Sequence, residues 1–414
     1  MCKKCLIALL AAFAVLCSCG GGGGLREKED LPDLLAAVPS DALALCCSST
    51  VEGALEPLDS ADALRRLDLS AFVDSPAVLS LSYNGSLVSI LAIGTGSAPE
   101  APEVSVRRGV QSRFFPPDAA TGRQGVLALS ASESQLVALS RHISEGRSIF
   151  DAPGFIEAAA LTEGDNFTLY RNSGASHLIP KGFLGDMFPR RTLARFLHAA
   201  ADWTVILPDG DERIVKTSQG QEDTYFVNIL ASLPLADSRL GEILPDSTDF
   251  ALSLPLPEGT FREAYERYVD ASVRMTQYSK RLAALKAESG KDPLKWELEL
   301  GIREIALVRH EGHTAVLLRP SRPLADCGVE DNPYRGFLQA LYGDAFALRD
   351  DSCRGAVFGW YVIGSREDVS DFLSFREKRQ DSVLPGDVCH FVCYSSGRLA
   401  VWDRKGIRIW NSSL

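Results

Sequence analysis

Ala37-Val38-Pro39-Ser40-Asp41-Ala42-Leu43-Ala44-Leu45 and, far downstream, Ile243-Leu244-Pro245-Asp246-Ser247-Thr248-Asp249-Phe250-Ala251-Leu252 share one pattern. Each is an apolar residue, a proline and a polar turn leading into a short strand, and then into a helix predicted over 51–67 or from about 260. Two further stations follow in the same order. Ser132-Glu133-Ser134-Gln135-Leu136-Val137, after a strand over 126–129, matches Ser365-Arg366-Glu367-Asp368-Val369, after a strand over 357–363. In both, a serine N-cap opens a helix with an acidic first turn. Gly164-Asp165-Asn166-Phe167-Thr168-Leu169-Tyr170 then matches Gly386-Asp387-Val388-Cys389-His390-Phe391-Val392. Any one pairing alone would be chance, but the shared order points to a duplication.

The segments between these stations set the fold class. Runs over 77–83 and 86–93 flank Asn84-Gly85, whose residues tolerate the positive φ of a tight hairpin. Runs over 211–218 and 224–231 flank Gln219-Gly220-Gln221 and predict a second meander. A helix is expected over 182–201, broken at Pro189, ahead of a strand over 203–207. The longest predicted helix covers 261–288, with Phe261, Tyr265, Tyr268, Met275, Leu282 and Leu285 at helical spacing. Hairpins alternating with helices give an α+β class of two tandem related lobes, each mostly antiparallel sheet with packed helices, over 37–236 and 237–414.

The N-terminus is an address. Lys3 and Lys4 precede an apolar run over 6–16, and Leu16-Cys17-Ser18-Cys19 is followed by five glycines. A basic stretch, a short apolar stretch and small residues at a cut site describe a secretory signal over 1–18. The apolar run falls short of the roughly 20 residues a membrane helix needs. Its end resembles a bacterial lipobox, which implies a diacylglyceryl group on Cys19 as the mature N-terminus. Residues 19–36 are expected to be a lipidated flexible tether, so the membrane is a partner through lipid alone. The expected location is the bacterial cell envelope at the outer membrane, with the periplasmic and surface faces both open. Glu27, Glu29 and Asp30 loosely resemble the acidic patch that sends some lipoproteins to the surface.

Composition narrows the partners. With 414 residues, 46% hydrophobic, the chain can bury a large core, and its net charge of −11 argues against nucleic acid. Of its ten cysteines, six lie beyond Cys19. Cys327 and Cys353 sit in turn-like stretches and form the expected disulfide in an oxidising compartment. Cys46, Cys389 and Cys393 fall in apolar strands, where a thiol behaves as a small hydrophobe.

Chemical motifs are scarce. His310-Glu311-Gly312-His313 has three-residue spacing, whereas a zinc-protease helix pairs histidines four apart, so it reads as a hairpin turn. Cys389-His390-Cys393 lies in a strand that points His390 away from both cysteines. A zinc site drawing in Cys327 and Cys353 is the alternative there; the expectation is no metal. No GxSxG elbow, P-loop or dinucleotide fingerprint is found, and no cofactor is expected. Arg190, Arg191, Arg195 and His198 read as a solvated basic helix face. The most suggestive stretch is the C-terminal hairpin, with strands over 398–403 and 407–410 about a three-residue turn, Arg404-Lys405-Gly406. That register sets Trp402 across from Arg408 and Ala400 across from Trp410, making Trp402, Arg408 and Trp410 a candidate binding platform on one face.

Ala199-Ala200-Ala201-Asp202-Trp203 before a strand, the second proline-led strand, and Trp296-Glu297-Leu298-Glu299-Leu300-Gly301-Ile302-Arg303-Glu304-Ile305-Ala306 together resemble a family of uncharacterised bacterial lipoproteins with a large domain of unknown function. The resemblance covers most of the mature chain. It implies this architecture and transfers no activity or site residue. The sequence therefore favours a non-catalytic envelope lipoprotein that binds or scaffolds a protein or glycan. The alternative is an envelope hydrolase, with or without a metal, built from histidines and carboxylates of both lobes.

Overall fold

The computed structural model describes residues 31–83, 85–95, 109–118, 124–171, 202–210, 212–217, 226–245, 247–374, 388–395 and 397–411. The expected signal segment, Cys19, the glycine run and the expected helix over 182–201 lie outside the described residues. Packed structure begins inside the stretch assigned to a tether. Leu31, Leu34 and Leu35 are buried, and a 3-10 helix forms over Asp33–Ala37, because these leucines cover apolar sheet.

The architecture is α+β, dominated by antiparallel sheet. The first half contributes β1 (Ala44–Ser48), β2 (Ala77–Tyr83), β3 (Leu87–Thr95), β4 (Gln111–Phe115), β5 (Gly125–Ser130), β6 (Phe167–Arg171), β7 (Trp203–Asp209) and β8 (Glu212–Thr217). Their ladders run β4-β5-β3-β2-β1-β6-β7-β8. After the short β9 (Ala236–Asp237), the second half contributes β10 (Thr248–Pro255), β11 (Ile302–His310), β12 (His313–Pro320), β13 (Cys327–Asp331), β14 (Cys353–Val357), β15 (Trp360–Gly364), β16 (Val388–Cys389), β17 (Phe391–Ser395), β18 (Arg398–Asp403) and β19 (Gly406–Asn411). Their ladders run β13-β14-β15-β12-β11-β10-β17-β18-β19.

The last strands of the two halves pair with each other. Ile407 lies opposite Val215 and Arg408 opposite Ile214, so β8 and β19 join everything into one 17-stranded sheet, while β9 and β16 pair separately. In both orders the first strand sits inside, between a hairpin on one side and a returning three-strand meander on the other. The halves differ at β13, which adds an edge strand to the second alone. They also differ in the first crossover, which carries α1 (Val51–Leu55) in one half and α5 (Phe261–Ala271), α6 (Met275–Ser289) and α7 (Pro293–Leu300) in the other.

The remaining helices are α2 (Glu133–Ser144), α3 (Phe155–Ala159), α4 (Phe226–Ser232), α8 (Phe337–Tyr342) and α9 (Arg366–Ser374). On one face of the sheet a single core takes Leu79, Leu91 and Ile206 from the first half and Ile305, Val316 and Ile407 from the second. Ala54 of α1, Ile229 of α4, Phe261 of α5 and Leu341 of α8 close it. The opposite face carries two cores. Leu45, Val78 and Val205 lie with side chains of α2 and α3, whereas Val308, Leu317, Val362 and Val401 lie with Val369 and Phe372 of α9. The expected boundary at Asp237 falls in β9, but the shared core crosses it.

Three local expectations change. The strand expected over 224–231 is helix where the structure describes it: α4 occupies 226–231, since a short apolar run fits either period. The helix over 261–288 breaks between α5 and α6, where Val273 takes a left-handed φ of 58°. Arg262 then holds the bent arm by a two-pronged bond to Glu297 at 2.7 and 2.6 Å and one to the Leu341 carbonyl at 3.0 Å. The helix over 51–67 ends early at Leu55: Glu56 keeps helical backbone and bonds back to the Gly53 carbonyl at 3.3 Å, but Pro57 has no N–H to carry the ladder on.

Candidate functional site

The C-terminal hairpin is registered one residue away from the expected pairing. Arg404 and Lys405 alone form the loop, Asp403 pairs with Gly406, and Trp402 pairs with Ile407. The Asp403 carboxylate accepts from the Lys405 amide at 2.8 Å, which tightens the turn. A slip of one residue sends a strand's side chains to the other face. Trp402 therefore stands in the shared core, 4.8 Å from the His390 ring. Trp410 packs on the opposite face, with the Arg408 guanidinium 5.4 Å from its ring. Arg408 donates to Asp403 at 2.6 Å. The expected platform is thus divided: Arg408 and Trp410 meet, and Trp402 is elsewhere.

Cys327 and Cys353 are on neighbouring strands but at opposite ends of the ladder. Cys327 faces Ala356, and Cys353 faces Asp331. The strand between them spans roughly 10 Å at about 3.3 Å per residue, beyond the ~7 Å a disulfide bridges. Among the described residues Cys46, Cys47, Cys327, Cys353, Cys389 and Cys393 are all thiols. Burial pushes Cys46 up to about 11 and Cys393 up to about 12, which keeps them protonated. Iodoacetamide should alkylate exposed Cys327 in the folded protein and buried Cys353 only after unfolding. A linked Cys327–Cys353 peptide in the mass spectrum would overturn this placement.

The histidine motif is a hairpin turn. Glu311 and Gly312 take φ of 47° and 89°, and His310 pairs with His313. α9 brings an aspartate to each histidine. Asp368 accepts from His313 Nδ1 at 3.2 Å and from the Thr314 amide at 3.1 Å. Burial raises the Asp368 carboxyl, but bonds from the Ser365 hydroxyl, the Thr314 amide and His313 outweigh it and hold it below its ordinary value. Ser365 also receives the Asp368 amide and so caps α9, whereas Ser132 makes no such side-chain bond for α2. His310 Nδ1 lies 2.9 Å from Ser247 Oγ, and its Nε2 lies 3.7 Å from Asp371. Among the described residues no three metal-binding side chains converge. Cys389 and Cys393 face different cores, and burial lowers His390 to about 4.

A better site lies where β9 meets the ends of β10, β11 and β12. A cleft of about 410 Å³ opens there between Asp237, Pro257, Glu258, Arg303, Arg319 and Ser321. Its base is a β-bulge. Ile302 pairs with Pro320 and Glu304 with Arg319, leaving Arg303 as the extra residue. Bulges re-aim side chains, and here Glu304 enters the interior with no exposure while Arg303 lines the cleft. Just before it, Gly301 ends α7 with a left-handed φ of 56° and lets Ser321 approach. A Cβ there would stand 2.5 Å from Ser321 Oγ.

Hydrogen bonds fix this geometry. One Glu304 oxygen accepts from Ser238 Oγ at 2.7 Å and Ser253 Oγ at 2.6 Å. The other accepts from the Arg239 amide at 2.9 Å and Arg319 Nε at 3.1 Å. Burial raises the Glu304 carboxyl, and those four donors pull it back. Arg319 also donates through Nη2 to the Asp237 carbonyl at 2.6 Å. Arg303 is held differently. Its Nη2 meets Glu258 at 2.7 Å, and that glutamate side chain is 78% exposed at the rim. One guanidinium is thus locked and the other is on a loose latch, an arrangement suited to an anionic group.

Sequence reasoning missed Arg303, Glu304 and Arg319. The available signal was Arg303-Glu304 set between Gly301 and the apolar run Ile305-Ala306-Leu307-Val308, two successive charges where a buried strand alternates. Against family models, curated proteins and solved structures the chain finds no match. The resemblance to uncharacterised lipoproteins therefore rests on its sequence motifs alone.

Proposed function

We propose that this chain is a non-catalytic, lipid-anchored envelope lipoprotein whose cleft at Arg303 and Arg319 binds a glycan or protein partner. The anchor is inferred from Leu16-Cys17-Ser18-Cys19 and would place the protein at the outer membrane. Among the described residues no helix is long and apolar enough to cross a membrane. A duplication giving two related lobes is supported by the common strand order of the halves, each feeding its last strand into the β8–β19 ladder. One observation carries the binding reading: a bulged strand end presents Arg303 to an open cleft, with an exposed rim carboxylate as its partner. Pull-down on cell-wall, outer-membrane glycan and outer-membrane protein fractions tests it. At least one fraction should retain the protein, and Arg303→Glu should lower retention at least about tenfold, the loss of a charge-assisted contact. Equal retention of both proteins sinks the proposal.

A second reading, an envelope hydrolase, is favoured by Ser247, His310 and Asp371, whose order of contacts is that of a nucleophile, base and orienting acid. The orienting bond is open at 3.7 Å, so the binding reading is the one carried forward. A fluorophosphonate adduct on Ser247 that disappears in His310→Ala would reverse this ranking; no adduct would retire the hydrolase.

A further inference from the structure

We infer that the ligand group received by the cleft is the carboxylate of an acidic sugar, with Glu258 as the built-in competitor that ligand displaces. The inference rests on the binding reading above and names the chemistry of the same site. Arg303 is the recognition cation. The bulge between Ile302 and Glu304 turns it toward the cleft, and its partner is a carboxylate carried by an exposed rim side chain. That partner sits beside Gly259, whose left-handed φ of 73° marks the bend leading into α5. A glutamate so placed shows which chemistry Arg303 accepts, because a planar carboxylate and a guanidinium match through paired N–H bonds. The contact is easily exchanged, since an exposed ion pair contributes little against solvent.

Arg319 supplies the second positive group. Its Nε and Nη2 are committed to Glu304 and the Asp237 carbonyl, so it cannot swing away when a ligand enters and acts as a fixed charge at the base. The other contacts favour a sugar over a plain anion. Ser321, Asp237 and, once released, Glu258 can hydrogen-bond hydroxyl groups, while half-buried Pro257 adds a little apolar surface beside them. A volume of about 410 Å³ lies within the range of small-ligand sites.

Displacement makes an unusual prediction. Removing the charge of Glu258 should tighten binding, because the ligand no longer competes with it, whereas removing Arg303 should abolish the contact. Isothermal titration of the full chain with glucuronate, glucose and N-acetyl-alanine tests this. Glucuronate should bind and glucose should not. Glu258→Gln should lower Kd at least about threefold, and Arg303→Gln should raise it at least about tenfold. Glu258→Gln alters an exposed rim residue, so its gain is readable even if Arg303→Gln folds poorly. Equal binding of glucuronate and glucose, no gain in Glu258→Gln, or binding of N-acetyl-alanine alone would each overturn the inference. If glucuronate fails while retention on envelope fractions still depends on Arg303, the sugar is wrong and the binding reading stands. If retention is independent of Arg303, both fall.

Discussion

Glu304→Ala should lower the unfolding free energy by about 3–5 kcal/mol, the loss typical of breaking a buried charged network. Glu304 is fully buried and takes bonds from Ser238, Ser253, Arg239 and Arg319. Ser238 and the Arg239 amide belong to the segment that carries the chain from the first half into the second, ahead of the 3-10 helix Leu240–Glu242. Truncation leaves these donors without that acceptor and the Arg319 charge without its carboxylate partner. Glu304→Gln keeps the shape and one acceptor, and should cost less than half as much. Urea unfolding of the three proteins reads both values. A Glu304→Ala protein within about 1 kcal/mol of the parent, the size of an ordinary surface change, would show that Glu304 does not hold the segment.

Acidification should act through His390 before it acts on Asp368. The ring packs 4.8 Å from Trp402, the His390 amide donates to the Trp402 carbonyl at 2.8 Å, and burial lowers the imidazole from 6.5 to about 4. The folded protein thus holds His390 neutral where the unfolded chain has already taken a proton. Stability is fully present above pH 6.5 and falls as the pH drops toward 4, with a total loss of about 3 kcal/mol at ~1.4 kcal/mol per unit. Asp368, whose carboxyl is held below its ordinary value, loses its contribution at lower pH, as protons bind through its folded value. His390→Gln should flatten the upper window and leave the lower one. The same slope between pH 6.5 and 4 in that variant would move the effect to another group.

Much of the fold was legible because local chemistry fixed it. Pro39 and Pro245 led strands that sit in matching places in the sheet, β1 and β10. Glu311-Gly312 made the hairpin its composition predicts, with both residues at positive φ. The run over 224–231 reads as a strand because a short apolar run carries no period of its own; α4 takes 226–231, and Ile229 and Leu230 pack in the shared core. The break at Val273 has neither proline nor glycine to announce it. The C-terminal register turned on one residue, and that residue moved Trp402 from a proposed surface to the core.

The site was less legible than the fold for a related reason. A bulge has no sequence code, so nothing in Gly301-Ile302-Arg303-Glu304 says that two successive charges will part, one to the interior and one to a cleft. Cys327 and Cys353 show the converse. Turn-like neighbours suggested a bridge, but strand pairing set them at opposite ends of a ladder. Distant pairing built both outcomes, and a linear reading sees only the ends.

Hydrogen–deuterium exchange of the full chain, with and without the envelope fraction that retains it, would address the cleft most directly. Binding should slow exchange at 235–237, 256–259, 301–304 and 319–321 and leave the C-terminal hairpin at 398–411 unchanged. Protection centred on 398–411, with none around Arg303, would contradict the cleft and return the search to Arg408 and Trp410.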